Sequence, residues 1–234
     1  MRIIIMALAL ALALALGLAG CGGEEANNQK PTDRSIPFRL YPSNFWDSDY
    51  QENYSISGTA KRSDTVSVTG SLKSKSNGLA SVNSVQAQSV YSTMTTKETS
   101  TGALITASST GYYSTDANQM RYLGSLSNGV YTTARSNSII PLTAKIGDFG
   151  SIGQYVNSAD SNIENLGWEL QDGYNGNAKF IITNSEYSGY GDATLVRSSV
   201  ESYLITPDGN RISMNYDDTN HQEGIIIKVS GDRE

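Results

Sequence analysis

The sequence predicts an all-β protein, a mostly antiparallel curved sheet or a two-sheet sandwich of about ten strands with little helix. Apolar residues alternate with serine, threonine and other small polar residues over many short stretches, as they do in half-buried strands. Glycine, asparagine and aspartate separate these stretches and supply the turns. The chain also holds 14 tyrosines against 4 phenylalanines, and tyrosine and threonine suit half-exposed pleated surfaces.

Alternating stretches follow one another closely in the first half of the chain. Ser76-Asn77-Gly78 carries the Asn-Gly signal of a hairpin turn, so the chain is expected to reverse there. Other turns are expected at 61–64, 101–102, 116–118 and 127–129. The predicted strands lie at 54–58, 66–72, 85–96, 104–113, 120–123 and 130–131.

The second half begins after a connector at about 138–153, and 157–166 is expected to be a polar loop or one short helix. Pro207-Asp208-Gly209-Asn210 is the best hairpin turn in the chain, with Gly209 supplying a positive φ. A weak repeat of strand, Asp-x-Asn turn and strand links 112–120 to 203–212, which allows two similar halves or chance convergence. Strands are predicted at 168–170, 179–182, 195–206, 211–216 and 225–229.

The N-terminus has the features of an export signal. Arg2 is the one charged residue among the first twenty, and 3–18 is almost wholly isoleucine, leucine and alanine. This run is shorter than the roughly 20 apolar residues of a membrane-spanning helix, and it ends among glycines. We therefore expect residues 1–20 to be a signal peptide that is cleaved.

The four residues Leu18-Ala19-Gly20-Cys21 resemble the lipobox of bacterial lipoproteins. The resemblance implies that Cys21 becomes the first residue and carries a diacylglycerol, usually with a further acyl chain such as palmitate. Two or more chains anchor stably, whereas one binds a membrane only marginally. Gly22, rather than an aspartate, follows Cys21. In a Gram-negative host this pattern resembles that of lipoproteins sorted to the outer membrane. The alternative is an ordinary secretory signal followed by a free thiol.

The mature chain is expected to comprise a tether and one domain. Residues 21–37 lack apolar periodicity and should form a flexible tether that carries the lipidated Cys21. Residues 38–234 are long enough for a single β-rich domain, whose two halves would join near 138–153. The domain opens with an aromatic cluster that either packs over its edge or forms an exposed contact patch: Phe38, Leu40, Tyr41, Phe45 and Trp46.

Charge argues against a nucleic-acid partner. Cleavage of 1–20 would remove only Arg2 and leave 16 basic against 23 acidic residues, a net charge of −7. Nucleic-acid binding needs a clustered basic surface, and binding to anionic lipid through a polybasic patch needs one too. Lysine and arginine are scattered singly here. Contact with the membrane is therefore expected through the lipid anchor.

Few residues offer metal or nucleophile chemistry. His221 is the single histidine and Cys21 the single cysteine, so no histidine cluster can form and an acylated Cys21 cannot bind zinc. No Gly-x-Ser-x-Gly turn supplies a nucleophilic serine for His221, which lies in a polar turn. The segment 217–223 offers oxygen ligands for calcium, but a charged turn that protects a sheet edge is favoured. We expect no catalytic residue, metal or cofactor.

These observations favour a non-enzymatic binding or structural module of the bacterial envelope. Its partner could be a protein, a glycan or a lipid. One alternative is a lipid or lipoprotein carrier, which would require a continuous apolar groove. The other is a glycan hydrolase built on two carboxylates, for which Glu169, Glu186 and Glu201 are the candidates.

Overall fold

The computed structural model describes residues 29–189 and 194–234. The predicted signal peptide, Cys21 and residues 22–28 of the predicted tether lie outside the described residues. Besides a short 3-10 helix at Ala117–Gln119, the described chain forms strands. The strands are β1 (Phe38–Arg39), β2 (Gln51–Lys61), β3 (Thr65–Val82), β4 (Val85–Glu98), β5 (Leu104–Ser114), β6 (Tyr122–Ser127), β7 (Val130–Asn137), β8 (Thr143–Ala144), β9 (Phe149–Asn157), β10 (Ile163–Asp172), β11 (Ala178–Tyr187), β12 (Leu195–Ile205), β13 (Arg211–Asn220) and β14 (Ile225–Arg233).

Twelve of these strands form one closed antiparallel barrel, in the order β10-β11-β12-β13-β14-β2-β3-β4-β5-β6-β7-β9. Closure comes from two pairings: β9 with β10, and the last strand β14 with β2. The all-β, mostly antiparallel prediction is confirmed. The curved sheet closes on itself, so full pairing removes the exposed edges of an open sheet. It also has more strands than the sequence indicated.

The chain runs twice through the same succession of elements. A two-residue strand, β1, precedes the six-strand meander β2–β7, and a second two-residue strand, β8, precedes the meander β9–β14. The two short strands pair with each other, with Phe38 opposite Ala144. Each follows an Ile-Pro pair closely, at Ile36-Pro37 and Ile140-Pro141. The Asp-x-Asn turns of the weak repeat join the fourth and fifth strands of the two meanders.

One end of the barrel is closed by the N-terminal segment, residues 29–50. Arg39 donates its amide to the Pro207 carbonyl at 3.0 Å, which ties the segment to the β12–β13 turn. Phe38, Leu40 and Phe45 are almost wholly buried there. The aromatic cluster therefore packs against the domain, as one of the two sequence interpretations held. We call this the closed end, and the opposite end, with the turns at 62–64 and 221–224, the mouth.

Five of the predicted turns, at 61–64, 101–102, 116–118, 127–129 and 207–210, join consecutive strands as expected, and the turn predicted at 76–78 is wrong. Gly209 has φ 86° and donates its amide to Thr206, so the β12–β13 hairpin forms where expected. At Ser76-Asn77-Gly78 the chain does not reverse. Gly78 has φ 78° and lies at a register irregularity within β3, whose hairpin turns at Asn83-Ser84 instead. Residues 157–166 include the start of β10 rather than a helix, because Ile163 already pairs with β9 and β11.

Several inward-facing glycines let neighbouring strands approach closely. A Cβ on Gly58 would lie 1.9 Å from the Lys228 carbonyl oxygen, and a Cβ on Gly70 would lie 1.9 Å from that of Thr95. Glycine in a strand interior commonly marks such a close approach or a bend at a barrel corner. Glycine at positions 58 and 70 therefore allows β2 to pack closely against β14, and β3 against β4, in the barrel wall.

Candidate functional site

The barrel encloses a cavity of about 400 Å³, and this lumen is the candidate site. Tyr41, Phe45 and Tyr50 of the N-terminal segment form its floor at the closed end. Ala107 on β5 lines the cavity and is exposed to solvent, so the lumen opens along this strand towards the mouth. The lining side chains come from both halves of the barrel, from β3–β6 and from β9–β13.

The wall of the lumen carries apolar side chains and hydroxyl groups, together with the charged side chains described below. Successive side chains of a strand point to opposite faces, so every second residue of each barrel strand faces the lumen. Aliphatic groups and serine hydroxyls therefore alternate around the cavity. The aliphatic lining comprises Leu72, Val90, Met94, Leu166 and Ile182, and the serines include Ser74, Ser92, Ser109, Ser125 and Ser127.

Aromatic rings form a continuous surface at the closed end of the lumen. The ring centroids of Phe45 and Tyr113 are 5.1 Å apart, and those of Tyr113 and Tyr122 are 5.4 Å apart. Tyr41 contacts Phe45 at 4.8 Å and Tyr113 at 6.4 Å. These distances are typical of favourable aromatic pairs. The four rings join the N-terminal segment to β5 and β6.

A buried ion pair lies beside this aromatic surface. The Arg211 Nη1 is 3.0 Å from the Glu52 Oε2, and their side chains are 7% and 0% exposed. Tyr54 donates its hydroxyl to the same carboxylate at 3.1 Å, and the Arg233 Nη1 is 3.8 Å from the other oxygen. The Arg211 guanidinium also stacks on the Tyr203 ring at 3.7 Å from its centroid. The charge of Arg211 is thus matched within the wall.

A second ion pair stands nearer the mouth. The Arg197 Nε and Nη2 donate to the two oxygens of Asp218 at 2.8 and 3.0 Å, so the pair is bidentate. The Asp218 side chain is 7% exposed and that of Arg197 48%. Arg197 lines the cavity and reaches solvent at the same time. Its charge, like that of Arg211, already has a carboxylate partner.

Glu201 lines the lumen and takes part in no ion pair among the described residues. The donor to its carboxylate is the Tyr203 hydroxyl. The pKa of Tyr113 is raised to about 12, mainly by burial and secondly by the charge of Glu201. Burial likewise raises the pKa of Tyr216, directly opposite Glu201 on β13, to about 12. Glu201 therefore presents a negative charge to a wall of tyrosines.

Two more carboxylates face each other near the mouth. Glu164 on β10 stands directly opposite Glu186 on β11. Burial raises the pKa of Glu164, and the charge of Glu186 raises it further. Asn184 donates to Glu164 at 3.2 Å and Asn162 donates to Glu186 at 2.9 Å. These amides compensate only part of the repulsion between the two acids.

Replacing Glu164 by Gln is expected to stabilise the protein at pH 7. A carboxyl with a raised pKa in the folded state is stabilising below the unfolded pKa, and this contribution is lost as pH rises through the folded pKa. Like charges directly opposite on a sheet cost about 0.2–1 kcal/mol, so we expect a gain of this size in the free energy of unfolding. Urea unfolding at pH 7 and pH 4 measures it. A gain equally large at pH 4 would contradict the electrostatic cause.

The structure does not bring the three candidate carboxylates of a hydrolase together. Glu186 and Glu201 face the interior, and Glu201 lines the cavity. Glu169 lies on the outer face of β10, where Gln171 donates to it. Glu164, which faces Glu186, is a residue that sequence analysis missed. The signal that could have identified Glu164 is the alternation of β10, which begins within 157–166, the segment that the sequence analysis interprets as a polar loop or a short helix.

The oxygen-rich segment 217–223 is divided between the two faces of the wall. Asp217 points outward and pairs with Lys228, whereas Asp218 points inward to Arg197. Within the described ranges, no three histidine, cysteine, aspartate or glutamate side chains are grouped so that they could hold a metal ion. His221 lies exposed in the β13–β14 turn, where its Nε2 is 3.0 Å from the Ser198 hydroxyl.

Comparison with known proteins adds little to this geometry. No family model matches the chain, and no curated protein matches it. A solved structure from Parabacteroides distasonis ATCC 8503, provisionally described as that of a lipoprotein, matches with a TM-score of 0.31 and 8% identity. The match covers 84% of this chain and 97% of that one, and a similarity this distant supports no functional argument. Among the described residues, no helix has the length and apolar character to span a bilayer.

Proposed function

We propose that this chain is a lipid-anchored lipoprotein of the bacterial envelope whose barrel lumen binds a small ligand without catalysis. The observation that carries the proposal is the lumen of about 400 Å³ inside a barrel whose closed end is covered by buried side chains of the N-terminal segment. Cavities that hold drug-sized molecules have volumes of about 300–1,000 Å³. The mixture of aliphatic, aromatic and hydroxyl groups suits a ligand with both apolar and polar parts.

A neutral fluorophore tests ligand binding in the lumen. N-phenyl-1-naphthylamine fluoresces when it leaves water, and we expect saturable one-to-one binding to the full-length chain carrying Cys21→Ser. Ala107→Trp places a large ring in the lumen and should abolish this binding. Thr106→Trp is the matched control, because the neighbouring exposed side chain lies on the other face of β5. Absence of binding, or equal binding by both variants, would contradict the proposal.

The anchor is supported by Leu18-Ala19-Gly20-Cys21 and is tested by mass spectrometry. The mature protein should begin at Cys21 and carry a diacylglycerol-sized adduct that Cys21→Ser lacks. An intact Met1 or an unmodified thiol would overturn the anchor and leave the lumen proposal standing. In a Gram-negative host, Gly22 after the cysteine supports outer-membrane sorting, which fractionation of the two membranes would test.

The other two hypotheses from the sequence have weaker support. A carrier of lipid would need a continuous apolar cavity, and serine hydroxyls interrupt the apolar lining here. A glycan hydrolase would need two carboxylates flanking one bond, and of the three candidates only Glu201 lines the cavity. The geometry thus supports binding better than either transport of a lipid or hydrolysis.

A further inference from the structure

The charges that line the lumen do not cancel. Arg197, Glu201 and Arg211 are the charged residues of its lining. Asp218 and Glu52 already neutralise the two arginines, in a bidentate pair and a buried pair. Glu201 remains without a cationic partner in the described part of the chain. A charge in a partly enclosed cavity is costly unless it is paired, so the lumen is suited to a ligand that brings a positive charge.

Two tyrosines lie next to this carboxylate: the Tyr203 hydroxyl donates to it, and Tyr216 stands directly opposite it on β13. The charge of Glu201 acts, after burial, to raise the pKa of four hydroxyls, those of Tyr41, Tyr113, Tyr203 and Tyr216. All four tyrosines line the cavity. The face of an aromatic ring attracts cations, and quaternary ammonium groups in particular are recognised by groups of such rings. Arg211 already lies over the Tyr203 and Tyr41 rings, so Tyr113 and Tyr216 are the rings that we expect to meet the ammonium group of a ligand. A carboxylate next to tyrosine rings is therefore suited to bind an alkylated or primary ammonium group.

The rest of the wall fits the body of such a ligand. Leu72, Met94 and Ile182 supply an aliphatic surface within the same cavity. An anionic head is disfavoured, because Arg211 is 7% exposed and already engaged by Glu52 and the Tyr203 ring. Taking the lumen as the binding site proposed above, we infer that it selects an organic cation, an ammonium group on a hydrocarbon body, with Glu201 as its counter-ion.

Three eight-carbon probes of equal length test the inference: octylammonium, 1-octanol and octanoate. Isothermal titration calorimetry with the full-length Cys21→Ser chain should show octylammonium binding at least tenfold more tightly than the other two. Glu201→Gln keeps an acceptor for the Tyr203 hydroxyl and should remove this preference while 1-octanol still binds. Glu169→Gln, on the outer face of the wall, is the control and should leave the preference unchanged. Tyr113→Leu should reduce it several-fold.

The outcomes separate this inference from the proposed function. Binding of 1-octanol with no preference for octylammonium would overturn the cation inference alone, and so would tightest binding of octanoate. A preference that survives Glu201→Gln in a folded protein, checked by circular dichroism, would also overturn it. If none of the three probes binds and the neutral fluorophore does not bind either, both the lumen proposal and the cation inference fail.

Discussion

Replacing Glu52 by Gln is expected to lower the free energy of unfolding by about 3–5 kcal/mol. The substitution removes the charge that compensates Arg211, whose side chain is 7% exposed and 3.0 Å from the carboxylate. Arg233, at 3.8 Å from the same carboxylate, loses a partner too. Breaking a buried pair leaves an uncompensated charge in a region of low polarity, and this cost exceeds the loss of a surface contact.

Equilibrium unfolding in urea measures this loss, with an exposed pair as the control. The Lys228–Asp217 side chains are 61% and 44% exposed, so Asp217→Asn should cost less than about 1 kcal/mol. The double variant Glu52→Gln/Arg211→Met removes both charges and should recover most of the stability that Glu52→Gln loses. A double variant no more stable than the single one would show that the pair acts through packing rather than charge.

Gly58→Ala is expected to destabilise the protein by about 2–3 kcal/mol, the upper part of the usual range for overpacking. The new Cβ would lie 1.9 Å from the Lys228 carbonyl oxygen and 2.8 Å from the Val229 Cα. These are backbone atoms of the neighbouring strand, so no flexible side chain can move aside. The β14–β2 pairing, which closes the barrel, would have to shift instead.

Gly189→Ala provides the matched control for Gly58. A Cβ on Gly189 would meet no described atom within 4 Å, so this substitution should leave the midpoint of thermal unfolding unchanged. The two variants make the same chemical change, one in a strand that is closely packed against its neighbour and the other in a bend with open space around it. Equal stability of the two proteins would contradict the close approach of β2 and β14 in the barrel.

Local sequence patterns predicted most of the strands and five of the hairpin turns, because alternation and turn chemistry act over a few residues. These local patterns could not predict that the barrel closes, because β14 pairs with β2, which lies far away in the sequence. The Glu52–Arg211 pair spans 159 positions and left no local signal either. Sequence analysis placed Glu201 in a strand. Whether its side chain faces the lumen or solvent depends on the strand register, since a shift of one residue would move the side chain to the other face.

The docking of the N-terminal segment has a consequence for the orientation of the barrel on a membrane. Lys30 and Asn175 exchange two hydrogen bonds, of 2.7 and 3.1 Å, beside the closed end. The stretch of chain from Cys21 to Lys30 can extend about 30 Å at most. An acylated Cys21 would therefore hold the closed end within about 30 Å of the bilayer and favour an orientation with the mouth directed away from it. A ligand would then reach the lumen from the aqueous side rather than directly from the lipid.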